Sequence, residues 1–337
     1  EKIKFELGDN IHSGDTMLIG QTTDTFDWSK IEVANMSKWA EGKSGTNRVK
    51  LYVSNLDISI KGFDISTKRG VDTTGKLEYG VSTNGGIPAS PTALITPREI
   101  YFDVNQFKGG RVDTQNTSGI GIVYGGTSTL GNTTTDNKLT MSSVWYGGAQ
   151  YGGYTQSETG DSIGNELIIT NGGCASHGSA TPGYGGWAKK GNATDNTVTL
   201  AGYGVAGAVN TVYGGGSDNP SAEVRSGNTL RVTAVNPGYM VFKNFEKIKF
   251  ELGDNIHSGD TMLRGQTTDT FDWSKITVTG LSDWVTALNA AGTNDPKLTL
   301  YTGGALTLNN YAPRLIGNAG DYEFGTFANG TLASGTM

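Results

Sequence analysis

Apolar and polar residues alternate in short runs along this chain. In KIKFEL (residues 2–7) Ile3, Phe5 and Leu7 share one face, and in RVKLYV (48–53) Val49, Leu51 and Val53 do the same. EIYFDV (99–104), ELIIT (166–170), NTVTL (196–200), NTLRVTAV (228–235) and KLTLY (297–301) repeat the pattern, and clusters of Gly, Asn, Asp, Ser and Thr separate the runs. These read as strands. Only SDWVTALNAA (282–291) reads as a helix, with Ser282 as N-cap and Gly292 just past its end. Strands do not alternate with long helices, which disfavours a doubly wound α/β domain.

Two nested repeats organise the strands. The string EKIKFELGDNIHSGDTMLIGQTTDTFDWSKI occupies residues 1–31 and returns at 246–276 with one change, Ile19 to Arg264. Beyond it KIEVANMSKW faces KITVTGLSDW, and Gly45-Thr46-Asn47 faces Gly292-Thr293-Asn294. The repeated object is a module of about 245 residues. The chain is expected to hold a first module over 1–245, cut at its N-terminal edge, and the start of a near-duplicate over 246–337, as a piece of something longer. The duplicated pairs Trp28/Trp273 and Trp39/Trp284 are expected in the core at the start of each module, since large aromatics dominate buried area.

A finer repeat fills residues 120–235. Tyr-Gly-Gly recurs at Tyr124, Tyr151, Tyr184 and Tyr213, and an Asn precedes a strand at Asn137, Asn165, Asn196 and Asn228, with spacings of 27 to 33 residues. That period suits one coil of a solenoid. Equivalent side chains of successive coils then lie about 4.8 Å apart and can form ladders. Asn is expected to take the left-handed turn conformation and to bond to its copies above and below; Gly-Gly is expected to let the chain bend sharply. The predicted fold is all-β, a parallel β-helix (solenoid) with short loop or helix insertions.

Composition then narrows the class. Gly 51 is roughly twice the usual share, as a coil with several corners requires. A net charge of −6 without a basic cluster argues against nucleic acid and against an anionic membrane surface. No run of 18 apolar residues is present, and the single Cys174 leaves no intramolecular disulfide and no Cys cluster for zinc.

With Y-G-G, G-N-x-T-x-N-x-V/L and long modules opening NFEKIKFEL, the chain resembles the passenger regions of large autotransporter-type and filamentous-haemagglutinin-like bacterial surface proteins. The resemblance implies a right-handed parallel β-helix at the bacterial cell surface, acting as adhesin or fibre shaft. It covers most of the chain and names no ligand. The membrane barrel that ends such proteins is not in this sequence.

Several catalytic patterns are also matched in part. Gly160-Asp161-Ser162-Ile163-Gly164 satisfies G-x-S-x-G, but it aligns with GNATDNTVTL in the next coil and no strand-to-helix elbow follows. The G-x-G-x-x-G of 202–207 is followed by a strand pattern, where phosphate binding needs a helix N-terminus. His177 near Cys174 reads as a loop, as do His12 and His257, which share one repeat position. Asp136, Asp161, Asp195 and Asp218 fall near corresponding turns and read as turn formers. A polygalacturonase-like set of acidic motifs is missing. The chain is therefore expected not to be an enzyme and to use no cofactor and no metal. The alternatives are a polysaccharide-degrading or modifying β-helix enzyme and a surface-layer or filament subunit. Tyr146, Tyr151, Tyr154, Tyr184 and Trp187, with Tyr124 and Tyr213, form the candidate binding set: stacked along one outer face they would offer a strip to a host or microbial surface glycan or protein. Open coil ends predict end-to-end self-association.

Overall fold

The computed structural model describes residues 2–21, 23, 25–83, 97–113, 122–142, 148–170, 182–202, 210–236, 238–266, 269–292, 297–304, 306–319 and 322–326. They form a parallel β-solenoid of about eight turns. Its first sheet stacks Arg111–Asp113, Lys138–Met141, Glu166–Ile169, Thr197–Leu200, Thr229–Val232, Lys247–Glu251 and Ile276–Thr279, each parallel to the next. The second stacks Val123–Tyr124, Gln150–Thr155, Gly183–Ala188, Asn210–Ser217, Tyr239–Lys243, Thr261–Gly265 and Thr299–Gly303, again all parallel. A short third sheet joins Thr134–Thr135, Ser162–Ile163 and Ala193–Thr194. The spacing of the Tyr-Gly-Gly and Asn motifs had predicted this succession of coils.

Alternation in the sequence becomes inside and outside in the first sheet. Leu139, Leu167, Val198, Leu230 and Ile248 are aligned by register, as are Met141, Ile169, Leu200, Val232 and Phe250, and all ten are buried. The outward positions between them carry charge, with Lys138 Nζ 3.2 Å from Glu166 and Arg231 2.5 Å from Glu251. Each inward aliphatic contributes about 1.5–3 kcal/mol by leaving water.

Residues 47–106 depart from the expected all-parallel coil. Asn47–Ser54 pairs antiparallel with Glu99–Gln106, which pairs antiparallel with Leu77–Thr83, which pairs antiparallel with Arg69–Val71. The cause is local. Asp72 accepts from the backbone N–H groups of Thr74, Lys76 and Leu77, and Gly75 has φ +68°, so the chain reverses in a tight turn. Such a turn can join only antiparallel strands. The helix expected over 282–291 runs Leu281–Ala290, and Gly280 rather than Ser282 is its N-cap. Gly280 has φ +77°, and a Cβ there would lie 2.3 Å from the Leu252 carbonyl oxygen. Gly292, φ +73°, follows the end as predicted.

The duplicated strings take the same backbone pairing. Ile3↔Ile31 and Phe5↔Val33 in the first copy correspond to Ile248↔Ile276 and Phe250↔Val278 in the second. Phe26↔Ile60 corresponds to Phe271↔Leu308. Trp28, Trp39, Trp273 and Trp284 are all buried, and Trp39 and Trp284 donate to Ile11 and Ile256 carbonyls at 2.9 and 2.7 Å.

One buried carboxylate fastens the antiparallel sheet to the coils. Glu78 is fully buried and accepts from Thr129 N (2.7 Å), Leu130 N (3.2 Å), Ser128 Oγ (2.7 Å), Asn132 Nδ2 (2.7 Å) and Asn105 Nδ2 (3.1 Å). Burial pushes this carboxyl above the usual range, and the bonds from Asn132, Ser128, Thr129 and Asn105 pull against that shift. Glu78→Leu strands two backbone N–H groups and is expected to lose about 3 kcal/mol or more in urea denaturation. Glu78→Gln is expected to lose far less, because the Ser128 hydroxyl and the Asn132 amide can turn to accept from the new NH2.

Candidate functional site

The site is built on glycine pairs inside the strands of the second sheet. In Gln150–Thr155 the burial alternates until Gly152-Gly153; both glycines are buried, so Tyr151 and Tyr154 on either side face out together. Gly183–Ala188 repeats this with Tyr184, Gly185-Gly186 and Trp187. The pairs therefore do not make the sharp bends expected from sequence. They make room. A Cβ on Gly126, Gly153 or Gly186 would lie 2.2, 2.4 or 2.5 Å from the side-chain amide of Asn137, Asn165 or Asn196, and one on Gly125 or Gly152 would meet the carbonyl of the next coil's glycine.

Those amides form a continuous interior ladder. Asn137 Nδ2 donates to Asn165 Oδ1 (2.9 Å), Asn165 Nδ2 to Asn196 Oδ1 (3.2 Å) and Asn196 Nδ2 to Asn228 Oδ1 (3.4 Å). Each Oδ1 also accepts the backbone N–H of the Asn one coil earlier, at 3.1, 2.9 and 2.8 Å. The other amide proton reaches back to a carbonyl of the preceding coil: Phe107, Thr134, Ser162 and Ala193. Bonding to copies above and below is as expected, but the left-handed residue is the one before each Asn: Asp136 (φ 56°), Gly164 (66°), Asp195 (56°) and Gly227 (70°). Asp161 and Asp218 lie elsewhere, Asp161 accepting from Asn192 N at 2.7 Å. Only Asp136 and Asp195 thus hold corresponding turn positions, and among the described residues no group of three or more His, Cys, Asp or Glu could hold a metal ion.

On the outer surface the rings stack into two rails. Tyr124, Tyr151, Tyr184 and Tyr213 have successive centroid distances of 5.5, 5.0 and 4.6 Å with interplanar angles of 20°, 9° and 14°. Tyr154 and Trp187 stack at 4.7 Å and 13° beside them, and Tyr154 also meets Tyr124 and Tyr151 at 4.7 Å. Lys243 Nζ sits 5.6 Å above Tyr213 at one end. At the other, Tyr124 borders a cleft with Arg111, Gln106 and Thr127. Neighbouring rings cover each other's faces, and all six are half-buried. The structure thus brings together Tyr151, Tyr154, Tyr184 and Trp187. Tyr146 lies outside the described residues, as do Cys174, His177 and residues 203–207. Sequence reasoning missed the space-making role of the glycines; the signal is that each Tyr-Gly-Gly is followed by its ladder Asn after a similar interval, 11 residues from Gly126 to Asn137, 12 from Gly153 to Asn165, 10 from Gly186 to Asn196 and 13 from Gly215 to Asn228.

Burial drives the tyrosine hydroxyls up. Tyr184 is pushed to about 12 by burial and then by neighbouring Tyr213 and Asp218; Tyr154 also reaches about 12 by burial, with Tyr124 and Asp218 adding to it. Tyr151 and Tyr124 rise for the same first reason.

Ser162 of the G-x-S-x-G string is fully buried in the third sheet. Its Oγ donates to the Gly153 carbonyl (3.2 Å) and accepts from Thr134 Oγ1 (3.0 Å) and Asn165 Nδ2 (3.1 Å). It belongs to the polar ladder and faces no histidine or carboxylate among the described residues. Among them, too, no helix is long and apolar enough to cross a membrane. Comparison with protein-family models, curated proteins and solved structures finds no match to this chain. Fold and site together define a parallel β-solenoid with an interior asparagine ladder and exterior aromatic rails.

Two outcomes are expected. Gly153→Ala should cost about 2 kcal/mol or more, because the methyl meets the buried Asn165 amide. In an Asn165→Ala background the same change should cost less, and a double-mutant cycle by urea denaturation measures the coupling. Second, phenols whose pKa is raised on folding stabilise the fold below the unfolded value of about 10 and lose that contribution as pH rises through about 12. The melting temperature should fall steeply between those pH values, and Tyr184→Phe should flatten the slope.

Proposed function

We propose that this chain is a segment of the shaft of an extracellular bacterial surface protein, and that the aromatic rails are its contact strip for a surface glycan or protein. The observation that carries the reading is continuity across the repeat boundary. Thr229↔Lys247 and Leu230↔Ile248 continue the first sheet from the finer coils into the second copy of the string without a break in register. A module that opens by stacking on the coil before it can be added repeatedly, and each addition lengthens the same rod. Length with a long lateral surface is what a solenoid supplies, and it holds a contact surface away from a cell. The resemblance in repeat texture to bacterial surface passengers supports the location, and the half-buried row of rings, each with a polar atom, supports a sugar-like or protein partner.

Extending the chain by one more 245-residue copy is expected to lengthen it by roughly 35 to 40 Å, at about 4.8 Å per coil, in small-angle scattering. An extended chain that grows in width instead would refute the shaft. For the contact strip, the intact chain applied to a glycan array is expected to bind, and the Tyr154→Ser/Trp187→Ser variant, folded by circular dichroism, is expected not to. Equal binding by both would remove the rails from the reading.

A further inference from the structure

The duplication supplies an internal control for one surface: the same residues occur twice in the same local fold, once with a coil stacked on them and once without. In the second copy, Lys247–Glu251 lies between Thr229–Val232 and Ile276–Thr279, and Thr261–Gly265 lies between Tyr239–Lys243 and Thr299–Gly303. In the first copy, Ile3–Glu6 pairs only with Ile31–Ala34, and Ile19–Gly20 only with Asn47–Ser54; among the described residues nothing pairs with their outer edges. The exposure of matching side chains follows this difference. Leu18 is 43% exposed where Leu263 is 0%. Ile3, Ile11 and Met17 are half-buried where Ile248, Ile256 and Met262 are buried.

We infer that the face formed by Ile3–Glu6, Ile11 and 17–20 is a docking surface for the closing coil of another copy of the repeat, one carrying the sequence of residues 224–245. The second copy shows how each group would be used. Leu230 and Val232 align with Ile248 and Phe250, so they would align with Ile3 and Phe5. Asn236 donates from N and Nδ2 to the Met262 carbonyl at 3.1 and 3.0 Å, the counterpart of Met17. Arg231 pairs with Glu251, the counterpart of Glu6, whose side chain is 65% exposed and paired with Lys4. Tyr239 lies opposite Arg264, whose guanidinium carbon is 5.9 Å from its ring. The counterpart is Ile19, 65% exposed. The one difference between the copies thus falls at a contact where a tyrosine ring accepts either a guanidinium or an aliphatic side chain, and both copies can receive the same coil.

This rests on the shaft reading and is tested separately from it. Residues 224–245 are fused directly ahead of Glu1 in the full chain, reproducing the junction of Phe245 with Glu246. Amide hydrogen exchange at residues 3–6 and 17–20 is then expected to slow to the level of 248–251 and 262–265. Leu18→Asp, at a site exposed in the unfused chain, should abolish that protection while leaving the exchange of 139–169 unchanged. Glu6→Lys should weaken it by about tenfold, and Arg231→Glu in the fused coil alone should restore it; Ile19→Arg should leave it intact. Unchanged exchange in the fusion would overturn the inference, even if the 245-residue extension still lengthens the rod. Protection already present in the unfused chain, with sedimentation as a dimer, would also overturn it, by giving the face to a second molecule's own end.

Discussion

A primary amide buried in a solenoid must place two donors and an acceptor away from water, and the ladder of Asn137, Asn165, Asn196 and Asn228 does this by using the coil repeat itself. Each Oδ1 takes the main-chain and side-chain N–H of the coil before it, and each Nδ2 ties the coil behind to the coil ahead. Unsatisfied, such a group costs about 1–3 kcal/mol. Satisfied in series, it fixes the vertical register of every coil at one corner, so the aliphatic ladders of the first sheet and the rings of the second come into line without further adjustment.

The aromatic rails depend on this constraint. The amides need space, the paired glycines provide it, and a pair of side-chain-free residues in mid-strand turns two neighbouring aromatics to the same outer face. The ladder ends where the repeated string begins: the position held by Asn228 is taken one coil later by Glu246, whose carboxylate accepts from Gly227 N at 2.7 Å. The same contact that closes one set of coils receives the next module. A shaft that grows by modules and carries its contact strip on the coils between junctions is the consequence.

The antiparallel sheet of residues 47–106 interrupts the otherwise parallel stack within the first module. It is not an independent unit beside the solenoid. Glu78 binds the 128–132 turn, and Arg69 Nη1 donates to the Leu130 carbonyl. A sheet held this way adds width at one point of a rod without breaking its length.

Much of the fold was legible in the sequence, because solenoid periodicity is written directly as residue spacing. The Tyr-Gly-Gly and Asn intervals fixed the coil, the period-2 runs of the first sheet fixed which residues face in, though in RVKLYV Tyr52 is buried and Val53 is not, and the duplicated string fixed that its two copies fold alike. The candidate rings were legible as a set for the same reason. What only the tertiary structure decided depends on distances between coils. Sequence could place Asn165 before a strand but not show that its amide fills the space over Gly153, so the glycines read as bends and the asparagines as left-handed turns, a role that falls to Asp136, Gly164, Asp195 and Gly227. Nor could it direct Arg69–Val71, Leu77–Thr83 and Glu99–Gln106 into an antiparallel sheet, since period-2 alternation is the same for either strand direction; the Asp72 turn sets the direction of the first pair alone. Burial separates Leu18 from Leu263, matched in sequence context except for the next residue, because exposure belongs to what is stacked on a residue and not to the residue.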